Sequence, residues 1–420
     1  MCGNSDRVFQ TASQQEKRLK ISGVSTVKKW LMLFVLIPLT FYCVFTIRTS
    51  LEEDAIPEPT QTQIDIEAKL ESNPEIYPFY TSLAESYQDY YVKLCAAFED
   101  YESTAFLERF ESESEMELAE DWVNENYREI VYEQPDYFWV DPNSFTFKEI
   151  QKGEKYTLNV DPNFTISEVE AIQRKRLYDE RVNDIVNGAK EKGYLFDAVL
   201  YVYDEILRKT DYDHSLAETD ETALLGFSAY GCLVEGKTVC SGYTLAFTSI
   251  MQKLGLTCGA EFDEMSHNET SEGHVWNYCK LGEDYYYFDL TWDDTSFDSD
   301  ELKQYLDYTH DFFAVTKKEL SASQHLLKEN PTAPGCTSET YNYYTYKNLY
   351  CGDYSFSRFR EIAKRQQQEK YIVVKFSSVS QRERAEKSLF DRGRFFEIYP
   401  DIDGVKYLAS SSGLQLYIFF

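Results

Sequence analysis

The sequence predicts an α+β protein that is attached to a membrane by one N-terminal helix. Segments with apolar residues at helical spacing, such as 76–127 and 167–192, alternate with segments of strand-like alternation, such as 137–166. An uncharged run occupies residues 30–47. The chain has 420 residues, of which 43% are hydrophobic, so it is long enough for two or three globular units with a real core.

The membrane prediction depends on residues 30–47, which read WLMLFVLIPLTFYCVFTI. A helix of this length is just long enough to cross about 30 Å of hydrocarbon. A buried core helix would normally show a polar stripe, which this run lacks. A cleaved signal peptide would end in small residues, whereas Ile47, Arg48 and Thr49 stand here. An uncleaved transmembrane helix is therefore expected.

The charge balance sets the expected orientation and excludes some partners. The chain carries 42 Lys+Arg against 72 Asp+Glu, a net charge of −30, which argues against binding to nucleic acid or to other polyanions. Residues 1–29 hold six cations and two acids, so this tail is +4 and is expected in the cytoplasm. Residues 48–420 hold the other 36 cations and 70 acids, so a domain of charge −34 is expected outside the cell.

Changes in pattern divide the part after the span into four regions. Residues 48–74 are acidic and contain three prolines, which predicts a stalk. Residues 75–194 are expected to combine helices with a β-hairpin, because Val-Asp-Pro-Asn occurs twice within strand-like sequence. Ser167 is positioned to cap a helix that continues to Lys192.

Residues 195–340 form the region with chemical motifs. Helices are expected near 196–209 and 241–254, strands near 274–280 and 284–290, and a loop over 293–344. Residues 341–420 are expected to form a small α+β unit. Its predicted elements are a strand at 371–376, a helix at 381–390, and strands at 395–398, 405–408 and 414–419.

Cys240 is the candidate nucleophile. It follows a glycine-containing turn and opens a helix whose apolar residues recur at helical spacing. A thiol at a helix N-terminus meets the positive end of the helix dipole, which favours the thiolate. The amide hydrogens of the same helix start could bind the oxyanion of an acyl intermediate.

A thiol nucleophile needs a base, and the base needs a group that orients it. His274 and Asp289 follow Cys240 in that order, and both lie in expected strands. On an antiparallel pair they could lie side by side, with Asp289 accepting from one imidazole nitrogen and the other nitrogen facing Cys240.

These segments resemble the transglutaminase-like superfamily, particularly bacterial surface members of papain-like ancestry. The matching pieces are VCSGYTLAF at 239–247, HVWN at 274–277 and DLTWDD at 289–294. Tyr212, Tyr230 and a Phe-Phe pair followed by His325 also agree. The resemblance covers about residues 195–330 and implies a papain-like core with a Cys240–His274–Asp289 triad.

The resemblance also implies a reaction class. Cys240 would attack a glutamine side-chain amide or a peptide bond, and an amine or water would then take the acyl group. A cysteine protease or deamidase, and a non-catalytic binding or assembly module that keeps the fold, remain alternatives. Tyr230, Ser241 and Trp276 are candidates for the oxyanion site or the substrate groove. A core role explains Tyr230 at least as well, and Trp276 is more typical of a packing residue.

The sequence predicts neither a metal nor another cofactor. The nine cysteines contain no CxxC pair, and the histidines outside the triad lack ligand spacing. The expected partner is a protein or cell-wall peptide substrate, and the acidic domain would favour basic or amine-bearing groups. Disulfide pairing and oligomeric state stay open.

Overall fold

The computed structural model of the protein describes residues 47–49, 56–216, 221–267, 270–298, 301–323, 325, 326 and 334–420. The predicted tail 1–29 and residues 30–46 of the predicted membrane span lie outside these ranges, and Ile47 begins a strand. Within the described ranges, no helix is both long and apolar enough to cross a membrane. The span and its orientation stay predictions.

The N-terminal region combines four helices with a four-stranded sheet. Its elements are β1 (Ile47–Thr49), α1 (Gln61–Glu71), α2 (Pro78–Ser82), α3 (Glu85–Glu99), β2 (Ala105–Phe110), α4 (Glu113–Glu133), β3 (Val140–Lys152) and β4 (Lys155–Phe164). The sheet order is β1-β3-β4-β2, with β1 parallel to β3 and the other pairs antiparallel. The predicted β-hairpin is confirmed, and Gly153 adopts the positive φ that its tight turn needs.

Two N-terminal expectations are wrong. Strand β2 interrupts the stretch predicted as helical, because its six residues pair with β4 about fifty positions further along the chain. The predicted stalk is folded over residues 61–71, where α1 forms with Thr60 and Gln63 in a capping box. Leu70 of this helix has no exposed surface and belongs to the main hydrophobic core, so this part of the acidic segment packs instead of acting as a linker.

The central region supplies the candidate site. Its elements are α5 (Glu168–Lys190), α6 (Leu195–Leu207), β5 (Asp211–Tyr212), β6 (Lys237–Thr238), α7 (Cys240–Lys253), β7 (Cys258–His267), β8 (Thr270–Leu281), β9 (Asp284–Phe288), α8 (Leu290–Asp293), α9 (Thr295–Asp298), α10 (Lys317–Ala322) and β10 (His325–Leu326). The antiparallel sheet has the order β10-β7-β8-β9. Helix α7 packs on it, and Asn277 of β8 donates to the Thr244 carbonyl and the Thr248 hydroxyl of α7.

The predicted cap at Ser167 is confirmed, but the prediction of one long loop over 293–344 is wrong. Ser167 caps α5 in a capping box with Glu170. The segment 293–344 contains helical turns and the strand β10, which tertiary contacts hold in place. Asp293, for example, accepts hydrogen bonds from the Asp311 and Phe312 amides.

The C-terminal unit has its own sheet and core. Its elements are α11 (Tyr343–Tyr346), β11 (Tyr350–Gly352), α12 (Phe356–Arg365), β12 (Tyr371–Phe376), α13 (Val379–Glu386), β13 (Lys406–Ala409) and β14 (Gln415–Phe419), and the sheet order is β11-β12-β14-β13. The strand predicted at 395–398 is wrong, because Gly393 at φ 69° turns the chain and a 3₁₀ turn over Arg394–Glu397 buries Phe395.

Replacement of Leu70 by alanine is expected to destabilise the protein by about 2–5 kcal/mol, because it leaves a cavity in the main core. The matched control is Ile64→Ala on the same helix, where the side chain is 48% exposed and the expected cost is below about 0.5 kcal/mol. The measurement is urea unfolding of both variants. Equal, small costs would show that this helix does not pack on the core.

Candidate active site

Helix α7 places Cys240 at its first position. Val239 precedes it in an extended conformation, and the Cys240 side chain is partly exposed. A Cβ atom added at Gly242 would lie 1.8 Å from the Thr238 hydroxyl and 2.8 Å from the Ser228 carbonyl, so only glycine fits at this position of the helix. The first amide groups of a helix have no partner within the helix, and they carry its positive dipole end beside the thiol.

The sheet brings His274 and Asp289 together. Asn277 of β8 pairs with Phe288 of β9, so the next residue, Asp289, lies opposite Trp276. His274 is two residues from Trp276, and its side chain is therefore on the same face of the sheet as that of Asp289. His274 Nε2 lies 2.7 Å from Asp289 Oδ2. Cys240 lies near enough to the same ring to raise the pKa of His274, and Nδ1 is the ring nitrogen that remains for it. The structure therefore brings all three predicted catalytic residues together in one row.

Asp289 differs from the prediction in its secondary structure. It lies one residue beyond β9 and caps the short helix α8, where its Oδ1 accepts from the Trp292 amide at 3.1 Å. Its own amide donates to the Phe312 carbonyl at 3.2 Å. These two hydrogen bonds hold the backbone and the carboxylate of Asp289 independently of His274.

Burial and charge have opposite effects on the two ionisable partners. Burial disfavours the imidazolium, but Asp289 and Cys240 outweigh it and raise the pKa of His274 to about 10. Burial also disfavours the carboxylate, but the charge of His274 and hydrogen bonds from His274 and His325 hold the pKa of Asp289 well below its usual range. The pair therefore stays charged at neutral pH.

Comparison with known proteins agrees with this geometry. The profile of the transglutaminase-like superfamily matches residues 179–290, a range that contains Cys240, His274 and Asp289. Residues 179–290 form a transglutaminase-like core. No curated protein matches the sequence.

Two solved structures are similar to parts of the chain. A TGase has 12% identity and a TM-score of 0.27, with 39% of this chain and 49% of that chain covered. A candidate cysteine protease from Cytophaga hutchinsonii has 17% identity and a TM-score of 0.23, with 33% and 52% covered. The chain thus spans about half the length of each structure, and TM-scores of this size define neither fold nor substrate.

A second histidine, His325, contacts Asp289, and sequence reasoning did not assign it to the site. His325 Nε2 lies 2.8 Å from Asp289 Oδ2, the oxygen that also faces His274. His325 stands 36 positions after Asp289, beyond the range that the superfamily profile matches. The only hint in the sequence is its place after the Phe-Phe pair at 312–313, which gives no contact by itself.

His274, Asp289 and His325 are also the side chains in the described part of the chain that lie close enough together to be tested as a metal site. The ligand atoms of His274, Asp289 and His325 lie within 4.8 Å of one another. Both Nε2 atoms, however, lie at hydrogen-bond distance from a single carboxylate oxygen, and a nitrogen that donates its proton to that oxygen has no lone pair for a metal ion. The geometry fits a hydrogen-bonded chain and not a metal site.

The three oxyanion or groove candidates have other surroundings. Tyr230 is buried against Phe138, and the Arg174 guanidinium lies over its ring, 5.2 Å from the centroid. The Ser241 hydroxyl donates to the Phe227 carbonyl at 2.9 Å. Both side chains therefore have partners that fix the fold around α7, and their role toward an oxyanion stays a prediction.

Trp276 does not line an open groove, because it is only 1% exposed. Its ring centre lies 5.5 Å from that of His274 and 5.1 Å from that of His325. It covers the histidines and excludes water from them, which strengthens their interaction with Asp289.

The seven described cysteines are all free thiols. Five are buried, and Cys240 and Cys351 are partly exposed. Burial raises the pKa of the Cys351 thiol. Cys351 is therefore a natural comparison for Cys240, because both are accessible but only Cys240 has an imidazole partner.

The pKa of His274 predicts a pH dependence of stability. Because its folded value of about 10 exceeds the ordinary 6.5, its stabilising contribution is complete below pH 6.5, declines above that pH, and is lost as the pH rises through about 10. The difference in unfolding free energy between wild type and His274→Gln should shrink by several kcal/mol across this window. A constant difference for His274→Gln would contradict the assignment of a protonated His274.

Proposed function

We propose that the protein is a thiol enzyme that transfers or hydrolyses acyl groups through a thioester on Cys240. The substrate bond would be a glutamine side-chain amide or a peptide bond. The observation that carries the proposal is the continuous row from the Cys240 thiol through His274 to Asp289, built by a helix start and two strand positions.

In the first half-reaction, the Cys240 sulfur attacks the carbonyl carbon and the oxygen becomes an oxyanion. Amide hydrogens at the start of α7 lie on the side of the nucleophile and would stabilise that charge. The His274 imidazolium then gives its proton to the leaving nitrogen, which departs as ammonia or an amine. The products are a thioester and a neutral His274.

In the second half-reaction, His274 takes a proton from an amine or a water molecule, which attacks the thioester carbon. The carbon–sulfur bond breaks and the electron pair returns to sulfur. Cys240 and His274 recover their initial states, and the product is a new amide or a carboxylic acid. Asp289 stays ionised throughout and holds the imidazole.

The proposed setting is the cell surface. The uncharged run at 30–47 and the +4 tail before it support a single span with a cytoplasmic N-terminus. Protein or cell-wall peptides are then the accessible substrates. The −34 charge of residues 48–420 would favour amine-bearing acceptors over anionic ones at low salt.

The reaction type is expected to be visible by mass spectrometry of a glutamine-containing peptide library incubated with the full-length protein in detergent. Parallel samples contain a cationic amine, an anionic amine or no amine. Gain of the amine indicates transfer, conversion of amide to carboxylate indicates deamidation, and two fragments indicate proteolysis. Cys240→Ser should abolish each product, whereas Cys351→Ser should keep it. No Cys240-dependent product in any sample would favour a non-catalytic binding or assembly module.

The second test compares the two partly exposed thiols with a neutral electrophile. Cys240 should be alkylated by iodoacetamide at neutral pH at least about 10-fold faster than Cys351, because it stands at a helix start beside His274. Peptide mass spectrometry gives the rate at each cysteine. His274→Gln should remove the advantage of Cys240 and leave the Cys351 rate unchanged. Equal rates in the wild type would argue against an activated thiol.

A further inference from the structure

His325 is held on two sides in the interior of the protein. It is 2% exposed, its Nε2 lies 2.8 Å from Asp289 Oδ2, and its Nδ1 lies 2.6 Å from the Ser323 hydroxyl. Aromatic rings surround it, with the centres of Trp292 at 5.0 Å and Trp276 at 5.1 Å. Its ring therefore has one fixed orientation.

Strand pairing explains how two distant histidines meet at one carboxylate. His325 on β10 pairs with Met265 of β7, and His274 on β8 pairs with Asp263 of β7. Positions 263 and 265 are two residues apart on β7, so both histidines lie on the same face of the sheet. Asp289, at the end of the fourth strand, accepts from both.

The arrangement restricts rotation of the Asp289 carboxylate. Oδ1 accepts from the Trp292 amide, and Oδ2 accepts from the two Nε2 atoms. Without His325, the carboxylate would keep one donor on each oxygen and could tilt about the axis of its own side chain. Such a tilt would move the His274 ring and its contact with Cys240, and a displacement of about 1 Å in a reacting group can cost roughly 100-fold in rate.

We propose that His325 is a positioning residue that fixes Asp289, and through it His274, for the attack by Cys240. This inference rests on the proposed function of Cys240. His325 bonds to Asp289 and packs beside His274, with ring centres 5.6 Å apart, so it acts on these two side chains and is assigned no catalytic role. Its hydrogen bond to Asp289 is expected to carry most of the effect.

The experiment is a double-mutant cycle in the full chain, with iodoacetamide alkylation of Cys240 as the readout. His325→Phe keeps a ring of similar size but removes both nitrogens, and Asp289→Asn alters the shared partner. In the wild-type background, His325→Phe should slow alkylation roughly 10-fold, the effect of one hydrogen bond to a charged group. In the Asp289→Asn background it should change the rate less than about 2-fold.

A rescue variant and a control separate positioning from general damage. His325→Gln places an amide N–H near the position of Nε2 and should restore alkylation to within about 3-fold of wild type. His214→Gln, at an exposed histidine far along the chain, should leave the rate unchanged. If a peptide substrate is turned over, His325→Phe should lower kcat by about the same factor as it lowers the alkylation rate, and KM should change less than about 2-fold.

The outcomes distinguish this inference from the proposed function. Non-additive rates with rescue by glutamine support the inference, even if no peptide is turned over and the proposed function fails. Additive rates in the two backgrounds, or a glutamine variant as slow as His325→Phe, overturn it even if turnover is observed. If melting and near-ultraviolet circular dichroism show that His325→Phe does not fold, Ser323→Ala replaces it in the cycle, and additivity there overturns the proposal in the same way.

Discussion

The buried charge of Asp289 is the constraint on which the site is built. Its side chain is 1% exposed, so the carboxylate has lost almost all of its hydration and must find donors within the protein. His274, His325 and the Trp292 amide supply them. Loss of one partner of such a charge typically costs about 3–5 kcal/mol, so the same contacts that orient the imidazole also stabilise the fold.

This requirement extends from the carboxylate into the surrounding chain. The Tyr203 hydroxyl lies 3.1 Å from the Asp289 carbonyl and 2.6 Å from Asp293 Oδ2. Asp293 in turn accepts from the Asp311 amide, and Asp311 accepts from the Tyr417 hydroxyl of the C-terminal unit. The C-terminal unit is therefore connected to Asp289 by a buried series of hydrogen bonds, and Asp293 and Asp311 form the middle of that series.

Local sequence was sufficient where a pattern is satisfied within one element. The cap at Ser167 and the periodicity of 241–254 predicted α5 and α7 to within a residue or two, because capping and amphipathicity act over neighbouring turns. It was insufficient for β2 and for Phe395. The six residues of β2 are held by a distant strand, and Phe395 is buried on a helical turn that Gly393 permits. The acidic composition of residues 48–74 likewise gave no sign that Leu70 is buried, because this burial depends on its contacts with the main hydrophobic core.

The sequence by itself determined the similarity of residues 179–290 to the transglutaminase-like superfamily, the order of Cys240, His274 and Asp289, and the position of the thiol at a helix start. Each of these depends on a short motif or a local period. Only the tertiary structure decided which nitrogen of His274 faces Asp289, that Trp276 is covered, and that His325 shares the same carboxylate oxygen. The reason is geometric. His325 reaches Asp289 through the pairing of a two-residue strand with β7, and no local pattern in the chain specifies a contact that a sheet register creates.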